Sequence, residues 1–160
     1  IAGFFKTDDL QGTKRMKGYI KAHRANEHVI NPNHIITYSS DNKETKPSIE
    51  LKRILQSEAP PTAIVCYNDE LAVLLLEVLR NMKIRVPDDI SIVGFDDSQF
   101  ARVSEVKLTT IRHPQSDMGM EAAKMILQLV DSQNKPLSEN EIESIVYEPE
   151  LIIRNSTKKL

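Results

Sequence analysis

Four short polar clusters in this 160-residue chain directly follow apolar runs: Lys6-Thr7-Asp8-Asp9, Tyr67-Asn68-Asp69, Asp96-Asp97 and Arg112-His113. Together they supply carboxylates, an amide, an ammonium, a guanidinium and an imidazole. That set suits a polyhydroxyl ligand. A carboxylate accepts from two neighbouring hydroxyls, a guanidinium donates a planar fork, an amide does both, and an aromatic ring such as Tyr67 or Phe95 covers the apolar C–H face of a sugar. The usual signatures of turnover are missing: no G-x-G-x-x-G, no Gly-Lys-Ser/Thr phosphate loop, no G-x-S-x-G elbow and no H-E-x-x-H. Five glycines are too few for a glycine-rich loop. Recognition without turnover is therefore expected, with no catalytic residue, no cofactor and no metal ligand.

Each group also has a purely structural use. Asn68 suits the N-cap of the helix that follows it. Asp96 and Asp97 are common turn formers. Arg15, one turn into its helix, is within reach of Asp8 or Asp9, and His113 before Pro114 suits a crossover. Spacing alone leaves both uses open.

What must position these groups is an alternation of short apolar runs with 3.6-residue patterns, the mark of strands and helices around a mainly parallel α/β sheet. In such a sheet ligands settle outside the carboxyl ends of the strands, where loop polar groups and helix N-termini converge. Residues 2–5 read as a strand. The segment after Gly12 reads as a helix with the stripe Met16, Tyr19, Ile20 and His23; its Lys14, Lys17, Lys21 and Arg24 form a solvated face. A strand at 35–38 precedes a helix starting near Thr45-Lys46-Pro47, with Thr45 a candidate cap, and Pro60-Pro61 is read as its stop. A buried strand at 62–66 precedes a helix capped by Asn68 or Asp69, with the stripe Leu71, Leu74, Leu75, Val78, Leu79 and Met82. Residues 85–89 read as a turn, 90–95 and 108–111 as strands, 119–130 as a helix, and 144–153 as a strand demoted to an edge by Pro149. The polar stretches 39–46 and 131–143 are read as surface loops.

Composition bounds the class. The chain is 40% hydrophobic and 28% charged with a mean hydropathy of −0.35, and no apolar run approaches the ~18–20 residues that span a bilayer. A net charge of −2 and a pI near 6.1 leave no basic footprint for a phosphate backbone. One cysteine, Cys66 in an apolar run, reads as a buried thiol in a reducing cytosol.

Residues 62–72 (TAIVCYNDELA), 86–97 (VPDDISIVGFDD) and 108–114 (LTTIRHP), in that order and with those gaps, resemble the effector-binding domain of the lactose/galactose repressor family. Residues 12–19 (GTKRMKGY) and 148–154 (EPELIIR) extend the likeness over almost the whole chain. Its narrower features, Lys6-Thr7-Asp8-Asp9 with Gln11-Gly12, are most similar to an arabinose-sensing branch. The resemblance implies a periplasmic-binding-protein-like fold of two lobes, each a mainly parallel sheet flanked by helices, with the effector in the cleft. It also implies L-arabinose as effector, a homodimer made through the same domain, a cytoplasmic location, no membrane association, and operator DNA reached only through a GntR-type winged-helix head absent from these residues.

Carried over motif by motif, the likeness makes residues 1–111 most of the C-terminal lobe. Residues 112–136 become a crossover and a helix of the N-terminal lobe, and residues 137–160 a crossover and returning strand, with the crossings near Arg112-His113 and after Lys135. Arg15, Asp96, Asn68 and His113 fall at effector-contacting positions, and Asp9, Gln11 and Tyr67 at positions lining the pocket; Lys6 and Asp97 stand beside them without an assigned role. A helix severed from its own sheet must leave Met118, Ala122, Met125, Ile126 and Leu129 exposed or covered by another chain. Two rivals share these residues: a sugar-binding protein of a transport system with the same fold, and an enzyme using Asp96, Asp97 and His113 as acid and base.

Overall fold

The computed structural model describes residues 1–131 and 144–159. Strands β1 (Ala2–Lys6), β2 (Ile35–Tyr38), β3 (Ala63–Cys66) and β4 (Ser91–Val93) are parallel, in the spatial order β2-β1-β3-β4. They alternate with α1 (Leu10–Ala25), α2 (Lys46–Leu55) and α3 (Asp69–Asn81). The chain moves outward from β1 to β2, then returns past β1 to β3 and continues to β4. Right-handed crossovers put α1 on one face of such a sheet and α2 with α3 on the other. The period of two within β1 serves both faces. Ala2 and Phe4 enter a core with Leu51, Ile54, Leu71, Leu75 and Leu79, while Phe5 faces α1, its ring 5.4 Å from that of Tyr19. Leu75 and Leu79, four residues apart and fully buried, each stabilise the fold by roughly 1.5–3 kcal/mol.

The helix starts differ in their chemistry. Asp9 caps α1 by accepting the Gly12 N–H at 2.6 Å, so the helix begins at Leu10, earlier than the reading after Gly12. Asn68, not Asp69, caps α3 by accepting the Leu71 N–H at 3.0 Å. Thr45 makes no capping bond. Its backbone is already helical, and α2 starts instead with Pro47 in its first turn. That helix ends at Leu55, ahead of Pro60-Pro61. The apolar stripes of α1 and α3 face inward as the period requires, and Lys14, Lys17, Lys21 and Arg24 are exposed.

The last third is less regular. A five-residue helix, α4 (Gln99–Val103), follows Asp97-Ser98 and has too few turns to show a period. Strand β5 (Thr110–Arg112) starts two residues after Leu108 and ends one residue beyond Ile111, and α5 (Gln115–Asp131) starts four residues ahead of Gly119. The strand expected over 144–153 shrinks to β6 (Glu150–Ile152), after Pro149, and pairs antiparallel with β5. Of the loop read at 131–143, Asp131 is instead the last residue of α5, and residues 132–143, with the crossing after Lys135, lie outside the described residues. On α5, Met118, Ala122, Ile126 and Leu129 are exposed and Met125 is half-buried.

Residues 154–158 return along β4. The buried Ser156 hydroxyl donates to the Ile92 carbonyl at 2.6 Å and accepts the Thr109 N–H at 2.8 Å, while its own carbonyl accepts the Ile92 N–H at 2.8 Å. Ser156→Ala should cost about 2 kcal/mol, because it strands a buried N–H, whereas Thr45→Ala, at an exposed residue with no cap to lose, should stay within about 0.5 kcal/mol. Urea unfolding of the full-length protein checks both; equal effects would refute the assignment of Ser156 as the stitch.

Among the described residues no helix is long and apolar enough to cross a membrane, and no group of three or more His, Cys, Asp or Glu is placed to hold a metal. Cys66 is buried in β3, and burial pushes its thiol well above the ordinary range.

Candidate functional site

Strand order selects the place. Between β1 and β3 the connections diverge to opposite faces, and the carboxyl ends of an open sheet leave a crevice at such a switch point. Lys6 ends β1 and the loop after it carries Thr7 to Asp9, while the loop after β3 carries Tyr67 and Asn68. The loop after β4 brings Phe95 and Asp96 alongside.

Arg15 is the centre of this arrangement. It projects from the first turns of α1, with its side chain 16% exposed. One guanidinium nitrogen donates to the Tyr67 carbonyl, and the other reaches Asp96 Oδ1 at 3.2 Å. The planar group lies 3.8 Å from the centre of the Phe95 ring and 4.6 Å from that of Tyr67. A cation held between two ring faces loses little freedom when it donates to a ligand, since its fork is already oriented. The pairing with Asp8 or Asp9 that sequence proximity offered is not the one formed. Asp8 accepts the Ser40 N–H at 2.9 Å instead.

Asp9 serves two bonds at once. Its Oδ1 caps α1, and its Oδ2 accepts the Tyr67 hydroxyl at 2.7 Å, with the Lys6 ammonium 3.6 Å away. Burial pushes its carboxyl up, but the Tyr67 hydroxyl, the Gly12 amide and Lys6 outweigh that, and the group is held below the usual carboxylate range. Burial and the same bond to Asp9 push Tyr67 up to about 12. Asp96 moves the other way. Burial raises it above the ordinary value, against the attraction of Arg15, with repulsion from Asp69 adding to the rise and the charge of His113 opposing it. A half-buried carboxylate that one guanidinium only partly compensates has capacity left for further donors.

The backbone at this corner is unusual. Asp96 and Asp97 have φ of 105° and 48°, a region that L-residues seldom occupy and that Asp tolerates better than most. The Asp96 N–H donates to the Ile111 carbonyl at 2.8 Å, which ties the corner to β5. Both residues are thus turn formers, as expected, and Asp96 also aims its side chain at Arg15.

The remaining candidates are placed as follows. Asn68 spends its side-chain oxygen on the cap, leaving its Nδ2 hydrogens to donate. It shares with Lys6, Tyr38 and Tyr67 a cleft of about 530 Å³ that runs outward along α3. Gln11 is exposed on the first turn of α1, and His113 is exposed where β5 leads toward α5. Arg15, Asp96, Tyr67 and Asp9 therefore come together directly, Asn68 and Lys6 flank them, and Gln11 and His113 stand at the margin. Asp69, which the sequence placed in a polar cluster and offered as a cap, has a different role. It is 1% exposed and accepts the Thr110 hydroxyl at 2.6 Å and the Ser98 N–H at 2.8 Å. Nothing local signals that role, because its partners lie 41 and 29 residues away.

The profile of the periplasmic binding protein-like domain family matches residues 1–157. The arabinose metabolism transcriptional repressor of Halalkalibacterium halodurans is 53% identical over 98% of this chain, and that of Geobacillus stearothermophilus is 53% identical over 100% of it. The chain spans 42% and 43% of the length of these relatives. Among solved structures, a LacI transcriptional regulator from a Rhodococcus species superposes with a TM-score of 0.78 at 29% identity, covering 98% of this chain and 55% of that one. The transcription regulator CcpA of Lactococcus lactis gives 0.78 at 25% identity, again with 98% and 55% covered.

Proposed function

The chain belongs to the periplasmic binding protein-like domain family, and from that premise we propose that it is the sugar-sensing part of a transcriptional repressor, with L-arabinose as its effector. The observation that carries this reading is the Arg15–Asp96 pair at the switch point, sandwiched by Phe95 and Tyr67. The 53% identity to arabinose metabolism repressors supports the choice of sugar. Arg15 and Asp96 are the principal contacts in this reading. Asn68 and His113 donate to ring hydroxyls, and Asp9, Gln11 and Tyr67 shape the pocket wall.

In this reading residues 1–111 belong to one lobe, residues 112–136 to a crossover and a helix of the other, and residues 137–160 to the return. The exposed apolar side chains of α5 accord with a helix that belongs to another layer. Sugar held between the lobes touches both, so it favours one interlobe geometry by its difference in affinity for the two, and DNA-binding heads carried elsewhere in a dimer change their spacing. The protein works in the cytoplasm, binds and releases its effector unchanged, and meets operator DNA only through those heads.

A thermal-shift panel of pentoses and hexoses on the full-length repressor tests this. L-arabinose at about a hundred times its Kd should stabilise the folded state by about 2.7 kcal/mol, and should release operator DNA at the same concentrations. An unshifted melting temperature with every sugar, or release by a different sugar only, would count against the sensor or against arabinose respectively.

A further inference from the structure

The second aspartate of the Asp96-Asp97 corner is not placed to touch a ligand. Its side chain is 3% exposed, and both of its oxygens are occupied by arginines from three different parts of the chain. Arg102 of α4 reaches Oδ2 at 2.9 Å and also donates to the Asp97 carbonyl at 3.1 Å. Arg112 of β5 lies 3.6 Å from Oδ2 and is shared with Glu150 of β6 at 2.7 Å. Arg154, just after β6, donates to Oδ1, and its other terminal nitrogen donates to the Leu108 carbonyl at 2.9 Å. Burial raises the Asp97 carboxyl, yet the bonds from Arg154 and Arg102 outweigh it and hold the group below its ordinary range, so the acid is ionised.

The geometry of the two strands gives this cluster its use. Beyond the core, β5 and β6 form a two-stranded sheet of their own, β5 leading to α5 and β6 standing on the returning chain. Isolated bridges join Val93 to Thr109, just ahead of β5, and Asp96 to Arg112, the last residue of β5. The described chain reaches α5 through β5 and comes back to the sheet through β6, so these two strands join α5 to the sheet. The carboxylate that pins both of them is covalently next to the aspartate that faces Arg15.

We propose that Asp97 is a positioning residue: its carboxylate clamps β5 and the segment after β6 to the sheet, and thereby fixes the orientation of Asp96 and the placement of His113 for the ligand. The assignment of a ligand rests on the sugar-sensing reading above; the clamping of the strands does not. Asn at position 97 tolerates the left-handed backbone at least as well as Asp, so Asp97→Asn removes the charge with little change of backbone preference. Arg102→Gln removes one arm, whose side-chain bonds among the described residues go to Asp97 alone, and serves if Asp97→Asn does not fold.

The experiment combines hydrogen exchange with calorimetry on the full-length repressor. In Asp97→Asn, the amides of Asp96, residues 110–112 and residues 150–156 should exchange faster while β1 and α3 keep their protection, and L-arabinose should bind roughly tenfold more weakly, as for loss of one charge-assisted contact. Unchanged protection at those amides overturns the clamp. Faster exchange with unchanged sugar affinity overturns the positioning role, and weaker binding with unchanged exchange overturns it in favour of direct contact. If the unsubstituted protein binds no sugar at all, the sensor reading falls by itself, and the exchange measurement alone decides for or against the clamp.

Discussion

Calorimetric titration of the full-length repressor with L-arabinose should show each of Arg15→Ala and Asp96→Ala binding ten- to more than a hundredfold more weakly, a loss of about 1.5–3 kcal/mol for a charged partner of a buried hydroxyl. The two losses should not add. Arg15 and Asp96 touch at 3.2 Å, so removing either disturbs the other, and the double variant should fall short of the sum. In Arg15→Ala the half-buried Asp96 also loses the guanidinium that partly offsets its burial. Lys17→Ala, on the solvated face of the same helix, should bind like the parent. Wild-type affinity in both single variants would remove this pair from the site.

Why that pair was only half legible follows from where its members sit. Each residue was a candidate from its own neighbourhood, Asp96 after an apolar run and Arg15 on the family-like start of its helix. Their contact spans 81 residues and depends on β4 lying two strands from β1, an order that no local period encodes. The regular elements were readable because each buries one face: the α3 stripe and the runs at β1 to β3 are bound to that outcome by burial alone. Short elements were not. Strands β5 and β6 have three residues each and α4 five, less than is needed for alternation to stand out, and their bounds are set by partners such as Ser156 and Thr109. The Thr45 cap failed for a related reason. Residue type suits that position, yet the backbone had already entered the helix one residue earlier.

The second large effect falls on Gly12. A Cβ built there penetrates the carbonyl group of Lys6 and lies 3.2 Å from Asp9 Oδ1. The obstruction is backbone, so no side chain can turn aside to make room. Gly12→Ala should therefore destabilise the full-length protein by about 3 kcal/mol, the upper end for overpacking a closed contact. It should also weaken sugar binding beyond the loss of folded protein, because α1 must back away from the end of β1 and carry Arg15 with it. Gly18→Ala is the control: a Cβ at Gly18, on the same helix, meets nothing within 4 Å, and exchange of Gly for Ala inside a helix should be neutral to stabilising by up to about 1 kcal/mol. Urea unfolding and calorimetry on both variants decide the matter, and equal stabilities would contradict the close approach.

The pair of left-handed residues at Asp96 and Asp97 bears on how this pocket can be redesigned. A library that randomised both positions would discard most members for backbone reasons before any ligand was offered, since β-branched and bulky residues are strongly disfavoured at such φ. Position 97 would fail a second time through the arginines that need its charge. Selectivity for a different hydroxyl pattern is better sought at Tyr67 and Gln11, whose φ is not left-handed and where the side chain can be replaced without a backbone penalty.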